Sequence, residues 1–219
     1  MLAALRSRAE QLQQKRQADI LFVFDCTASM QGEIDTLKDT IIAFAESIQR
    51  DGVRARVGLI EYRDRLINEE HTVHRFGGEV FTQDVAAFRH IVGNLRASGG
   101  GDEPESAYDA LLEATRQPFH PESQHVLVLI TDAPPHQKDR EVQSIDTLIE
   151  AFRQAPIHQF YPVINTRDVR CQQTYLRLYE SSCRGAAFDM GKGEDFKERA
   201  AHFQRTLMQL GKTISTATR

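Results

Sequence analysis

The run Ile20-Leu21-Phe22-Val23-Phe24 is the strongest constraint on the fold. Five apolar residues with no polar alternation read as a strand buried on both faces, as in a parallel sheet. Asp25-Cys26-Thr27-Ala28-Ser29-Met30 follows directly, with an acid and two hydroxyls at alternate positions before a helical pattern begins. A second unbroken run, Val126-Leu127-Val128-Leu129-Ile130, leads in the same way into Thr131-Asp132-Ala133-Pro134-Pro135. Open α/β sheets bind ligands in the crevice outside the carboxyl ends of their strands. Both runs therefore deliver hard oxygen donors to the edge where such folds keep their sites, and this is ligand chemistry for Mg²⁺ or a similar cation.

Between the runs lies Gly99-Gly100-Gly101-Asp102-Glu103-Pro104-Glu105, a loop carrying acids toward a helix start. Its glycines can take positive φ and let backbone approach an ion or a partner closely. Asp102 could cap the helix, and Glu105 could sit in its first turn, where the dipole favours negative charge. Either could instead face a metal.

Around these motifs, strand and helix patterns alternate. Ile34, Leu37, Ile41, Phe44, Ala45 and Ile48 predict a helix from about Gly32 to Gln49, and 54–62 reads as the next strand. The alternation in 72–76 predicts a short edge strand. Thr82 or Asp84 can cap a helix carrying Val85, Phe88, Ile91, Val92 and Leu95. Another helix starts at Pro104-Glu105, and Ser144 can cap one running through Phe152. Residues 158–164 predict a strand, 174–180 a helix, 186–188 a short strand, and 196–210 a final amphipathic helix. The expected architecture is α/β: a doubly wound, mostly parallel sheet with one short antiparallel edge strand and helices on both faces. Residues 1–17 read as a polar helix or linker, 18–212 as one domain, and 213–219 as a frayed tail.

The 219 residues suit one domain with a substantial core. A formal net charge of -4 gives no electrostatic case for nucleic acid. No apolar stretch approaches the ~20 residues needed to span a bilayer, and the N-terminus lacks a secretory h-region. Three cysteines, Cys26, Cys171 and Cys183, favour reduced thiols and a cytoplasmic setting. Cys26 points away from the ligands and reads as a small buried filler. His136 reads as a solvated loop histidine.

Asp25-x-Thr27-x-Ser29, the Gly-rich acidic loop and Asp132 come in order and at the spacing of the von Willebrand factor type A family, which the chain resembles over roughly 18–210. The match keeps the hydroxyl donor while replacing the first serine of the family's Asp-x-Ser-x-Ser motif by Thr27. The resemblance implies a Rossmann-like fold and a metal-ion-dependent adhesion site of Asp25, Thr27, Ser29, Asp132 and at least one of Asp102 and Glu105. It implies Mg²⁺, with Mn²⁺ or Ca²⁺ as alternatives, and a protein partner that presents Glu or Asp to the ion. The Gly-rich acidic loop is similar to that of bacterial, intracellular members, some of which serve systems with AAA+ ATPases or kinases. Binding rather than catalysis is the expected function, since no His or Lys in the motifs is placed as a base. A Mg²⁺-dependent phosphatase-like hydrolase is the rival, although position 27 lacks the second Asp that chemistry needs. A scaffold with a non-essential metal site is the third reading.

Overall fold

The structure is a computed structural model, and it describes residues 17–101, 103–155, 157–191 and 195–218. Residues 1–16 of the expected N-terminal helix, and Asp102, lie outside the described residues; Gln17 opens the first strand. Among the described residues, β1 (Gln17–Asp25), β2 (Arg54–Tyr62), β3 (Thr72–Val73), β4 (Gln124–Ile130), β5 (Gln159–Ile164), β6 (Arg184–Gly185) and β7 (Phe188–Asp189) form one sheet. The order is β3-β2-β1-β4-β5-β6, with β7 also on β5. Every pairing is parallel except β2 with β3. The mostly parallel sheet and its antiparallel edge are as the sequence predicts.

β1 has β2 and β4 on its two sides, with Ile20 opposite both Val57 and Val126. Its side chains divide by parity. Ile20, Phe22 and Phe24 join one core layer with α1 (Gln31–Arg50), α2 (Val85–Asn94) and α6 (Phe196–Ala217). Leu21 and Val23 join the other with α3 (Ala107–Thr115), α4 (Ile145–Gln154) and α5 (Val169–Ser182). Phe22 meets Phe44 edge-on at 5.5 Å between centroids and Phe88 at 5.8 Å, spacings at which aromatic pairs add to area burial. Cys26 is wholly buried in the same layer, and burial raises its thiol pKa.

Several boundaries move for physical reasons. The edge strand stops at Val73, and Phe76 instead bridges to Glu79. α3 begins at Ala107 rather than at Pro104-Glu105, because Glu105 donates its N–H to Pro134 O and accepts from His136 N. Those two bonds commit Glu105 to a strand-like bridge with Pro135. Asp84 is the cap of α2, accepting from Ala86 N and Ala87 N, while Ser144 caps α4 through Thr147 N. α5 starts at Val169, five residues earlier than the periodicity places it, under an Asp168 cap. Beyond β5 the edge is split: β6 pairs at Gln159 and Phe160, β7 at Val163 and Ile164. Pro162 falls between, and proline lacks a ladder donor. α6 reaches Ala217, with Ile214 and Ser215 buried. The tail expected to fray is thus helical and packed through Ala217.

Candidate functional site

β1 ends at Asp25, and β4 ends one residue before Thr131 and Asp132, on neighbouring strands running the same way. Both acids therefore reach one edge. Asp25 is fully buried. Its Oδ1 accepts from Thr27 N at 2.9 Å and Thr27 Oγ1 at 2.7 Å, and its Oδ2 accepts from Thr131 Oγ1 at 2.7 Å. Ser29 Oγ donates to Asp132 Oδ1 at 3.1 Å and lies 3.3 Å from Thr27 Oγ1. Asp25, Thr27, Ser29 and Asp132 thus form one continuous line of oxygens.

Each hydroxyl carries one proton. With Thr27 donating to Asp25 and Ser29 donating to Asp132, the two hydroxyl oxygens face each other as acceptors. A cation between them would satisfy both.

The Gly-rich loop closes over this line. Ala28 N donates to Gly99 O, and Ser98 N to Cys26 O. Gly99 and Gly100 have φ of 69° and 73°, the left-handed region that glycine occupies without strain. A Cβ on Gly100 would sit 2.9 Å from both Glu105 Oε1 and Thr27 Cγ2. Glu105 is thereby placed beside Thr27, at 5% exposure, and its Oε2 is buried with no hydrogen-bond partner among the described residues.

The electrostatics agree. Burial, then the charges of Asp25, Asp64, Glu69 and Asp132, push the Glu105 carboxyl up to about 8. Burial raises Asp25 to about 6, against the pull of its Thr27 and Thr131 hydrogen bonds. Asp132 is raised as well, again first by burial. All three carboxyls are thus raised first by burial, and at Glu105 the neighbouring acids Asp25 and Asp132 add to the rise.

The donors fit a hard divalent cation: all are oxygens, and Glu105 Oε2 is a buried acceptor without a hydrogen-bond partner among the described residues. Among the described residues, no three His, Cys, Asp or Glu side chains form a metal-holding group by themselves. A site here rests on mixed hydroxyl and carboxylate donors.

Sequence reasoning missed three contributors. Thr131 stands next to Asp132, and its hydroxyl at a strand end was the available signal. Glu69 accepts from Gly100 N at 2.9 Å and holds the glycine loop; nothing in its spacing marks it. Asp64 accepts from Leu66 N and lies 3.1 Å from His136 Nε2. His136 is therefore half-buried and engaged rather than solvated.

An α/β sheet carrying acids and hydroxyls from separate loops at its carboxyl edge defines a class of ligand-binding fold. The family model described as von Willebrand factor A domain matches residues 19–177, and the chain belongs to that family. It is 29% identical over 120 residues to the alpha-protein kinase vwkA of Dictyostelium discoideum, a match covering 54% of this chain and 19% of the kinase. It is 30% identical over 139 residues to an ariadne-like RING finger protein of Acanthamoeba polyphaga mimivirus, covering 60% of this chain and 13% of that one. The chain thus spans less than a fifth of the length of either relative. The crystal structure of the SpRpn10 VWA domain superposes with a TM-score of 0.57 at 13% identity, covering 90% of this chain and 94% of that one. Among the described residues no helix is long and apolar enough to cross a membrane.

Proposed function

We propose that this chain is a metal-dependent protein-interaction module, which takes an acidic side chain of a partner protein at the carboxyl edge of its sheet. Asp25, Thr27, Ser29, Asp132 and Glu105 would hold Mg²⁺, or Mn²⁺ or Ca²⁺ in its place, with Asp102 on the same loop as a further candidate. The cation would supply positive charge and exchangeable coordination positions for a hard anion. The observation that carries this reading is the buried Glu105 Oε2, without a hydrogen-bond partner among the described residues, beside carboxyls raised by burial and then by neighbouring acids.

The chain's own residues favour binding over hydrolysis. Thr27 occupies the position where a phosphatase of this layout would need a second acid. The nearby imidazole, His136, is tied to Asp64. Domains of this family are associated with protein interaction, and the similarity to an alpha-protein kinase makes a kinase system one setting for the partner. An AAA+ ATPase system is the other.

Calorimetric titration of Mg²⁺ into wild type and Asp25→Ala tests the reading. Saturable binding by the wild type, lost in a folded Asp25→Ala, is the expected result. Heat-silent titration of both proteins, with melting curves identical in Mg²⁺ and EDTA, overturns it.

A further inference from the structure

A second charged feature lies at the same sheet edge, outside the oxygen cluster. Arg167 follows β5, Asp189 ends β7, and Glu198, Arg199, His202 and Arg205 come from the first turns of α6. Together they line a cleft of about 370 Å³. Its charges are unequally engaged. Asp189 accepts from Thr166 N and Thr166 Oγ1 on Oδ1, and His202 Nε2 lies 3.2 Å from its Oδ2. Arg199 pairs with Glu33 at 2.8 Å. Arg167 and Arg205 are exposed, and neither guanidinium has an acidic partner among the described residues. Unpaired guanidinium groups present planar forks suited to carboxylates.

The cleft adjoins the candidate metal site through Arg199. Its partner Glu33 lies in the first turn of α1, four residues past Ser29. Arg199 also acts electrostatically on Asp132. The cleft's three arginines outnumber its two acids, Asp189 and Glu198. On a chain of net charge -4, Arg167 and Arg205, which have no acidic partner among the described residues, are therefore complementary to further acid on a carboxylate-bearing partner.

We infer that the cleft between β7 and the start of α6 is a second subsite, which takes acidic residues flanking the one at the cation, so that the preferred partner segment is a run of Asp or Glu rather than an isolated acid. This deepens the proposed function and rests on it for the first acid, but the cleft's own contribution can be read separately. Arg167 and Arg205 supply the contacts, while Arg199 stays engaged by Glu33 and keeps α6 against α1.

The test uses two fluorescein-labelled peptides, hexaglutamate and a Gly/Ser hexapeptide with one central Glu, followed by fluorescence anisotropy. The proteins are wild type, Arg205→Ala and Arg167→Glu/Arg205→Glu. In Mg²⁺, hexaglutamate should bind wild type at least tenfold more tightly than the single-Glu peptide. The charge-reversed double variant should lose that advantage, and Arg205→Ala part of it, with single-Glu binding and the Mg²⁺ melting shift unchanged. In EDTA, a residual, salt-sensitive affinity for hexaglutamate should persist in wild type and vanish in the double variant. That EDTA arm reads the cleft even if the metal reading fails. Equal hexaglutamate affinity in wild type and the double variant overturns the subsite.

Discussion

Asp19 and Asp25 sit near opposite ends of one strand, and both are fully buried. Asp19 receives Arg56 through Nε at 2.8 Å and Nη2 at 2.5 Å, with His120 N at 2.6 Å. Asp25 receives Thr27 N and two hydroxyls, and no cationic side chain pairs with it among the described residues. The contrast separates two uses of a buried carboxylate. A guanidinium fork both satisfies the oxygens and cancels the charge. Neutral donors satisfy the oxygens and leave the charge, so burial lifts Asp25 to about 6. One end of β1 is closed and structural; the other retains a demand for positive charge.

The largest test of this contrast is Arg56→Ala. It strands Asp19 as a buried uncompensated anion, and losing one member of such a pair costs about 3 kcal/mol or more. The Arg56 side chain is 30% exposed, which places the expectation at the lower end. Urea unfolding should show the loss equally in Mg²⁺ and in EDTA. A loss that appeared only in EDTA would instead show the two ends of β1 to be coupled.

Next in size is the cation itself. At about 100 times its dissociation constant, linkage predicts stabilisation of about 2.7 kcal/mol. Thermal melts should rise in Mg²⁺ for wild type and for Arg56→Ala alike. Asp25→Asn should remain folded, and it should respond to Mg²⁺ weakly or not at all. A full Mg²⁺ response in that variant would make Asp25 a mere helix-entry acid.

A smaller effect should appear with pH in the absence of metal. Glu105 and Asp25 have folded values of about 8 and about 6, above their ordinary 4.5 and 3.8. The folded state therefore holds protons that the unfolded chain has released. Their contribution is most favourable below about pH 4 and is lost as pH rises through 6 and 8. The slope is at most about 1.4 kcal/mol per pH unit for each proton. Denaturation midpoints in EDTA should thus decline from pH 5 to pH 8 on account of these groups, and Glu105→Gln should flatten the decline. Saturating Mg²⁺ should flatten it in wild type too.

Much of this contrast was half-visible in the sequence. The unbroken runs at 20–24 and 126–130 located the central strands, because strands buried on both faces cannot alternate. Asp25, Thr27, Ser29 and Asp132 stood out as oxygen donors just past those runs and in the order of the family's motif, whereas Thr131, the first polar residue after 126–130, was passed over. Glu105 stayed ambiguous because a first-turn acid and a bridging acid look alike in sequence. What decides its place is its backbone pairing with Pro134 and His136, made across the fold. The Asp19–Arg56 pair was not legible either, since parallel register sets it between residues 37 apart. The length of α6 was underread because the continuation past Leu210 depends on Ile214, with polar Ser215 and Thr218 buried beside it.

The smallest effect is expected at Thr131. Thr131 Oγ1 donates to Asp25 Oδ2 at 2.7 Å and also lies 3.2 Å from Ala133 N and 3.3 Å from Ala133 O. Thr131→Val keeps the shape and removes the hydroxyl. Removal of one such bond costs about 1 kcal/mol. Because that hydroxyl lowers the Asp25 pKa, its loss should raise the carboxyl further. Part of the stability change should therefore be recovered at low pH, where Asp25 is protonated and can donate its own proton. Mg²⁺ affinity should fall only a few-fold, since Thr27, Ser29 and Asp132 remain. The measurement is a pair of urea titrations, at pH 5 and pH 8 in EDTA, on wild type and Thr131→Val. A larger deficit at pH 8 than at pH 5 shows that neutral donors carry the charge at this end of the strand. Equal deficits at both would show that Thr131 acts on the turn to Ala133 alone.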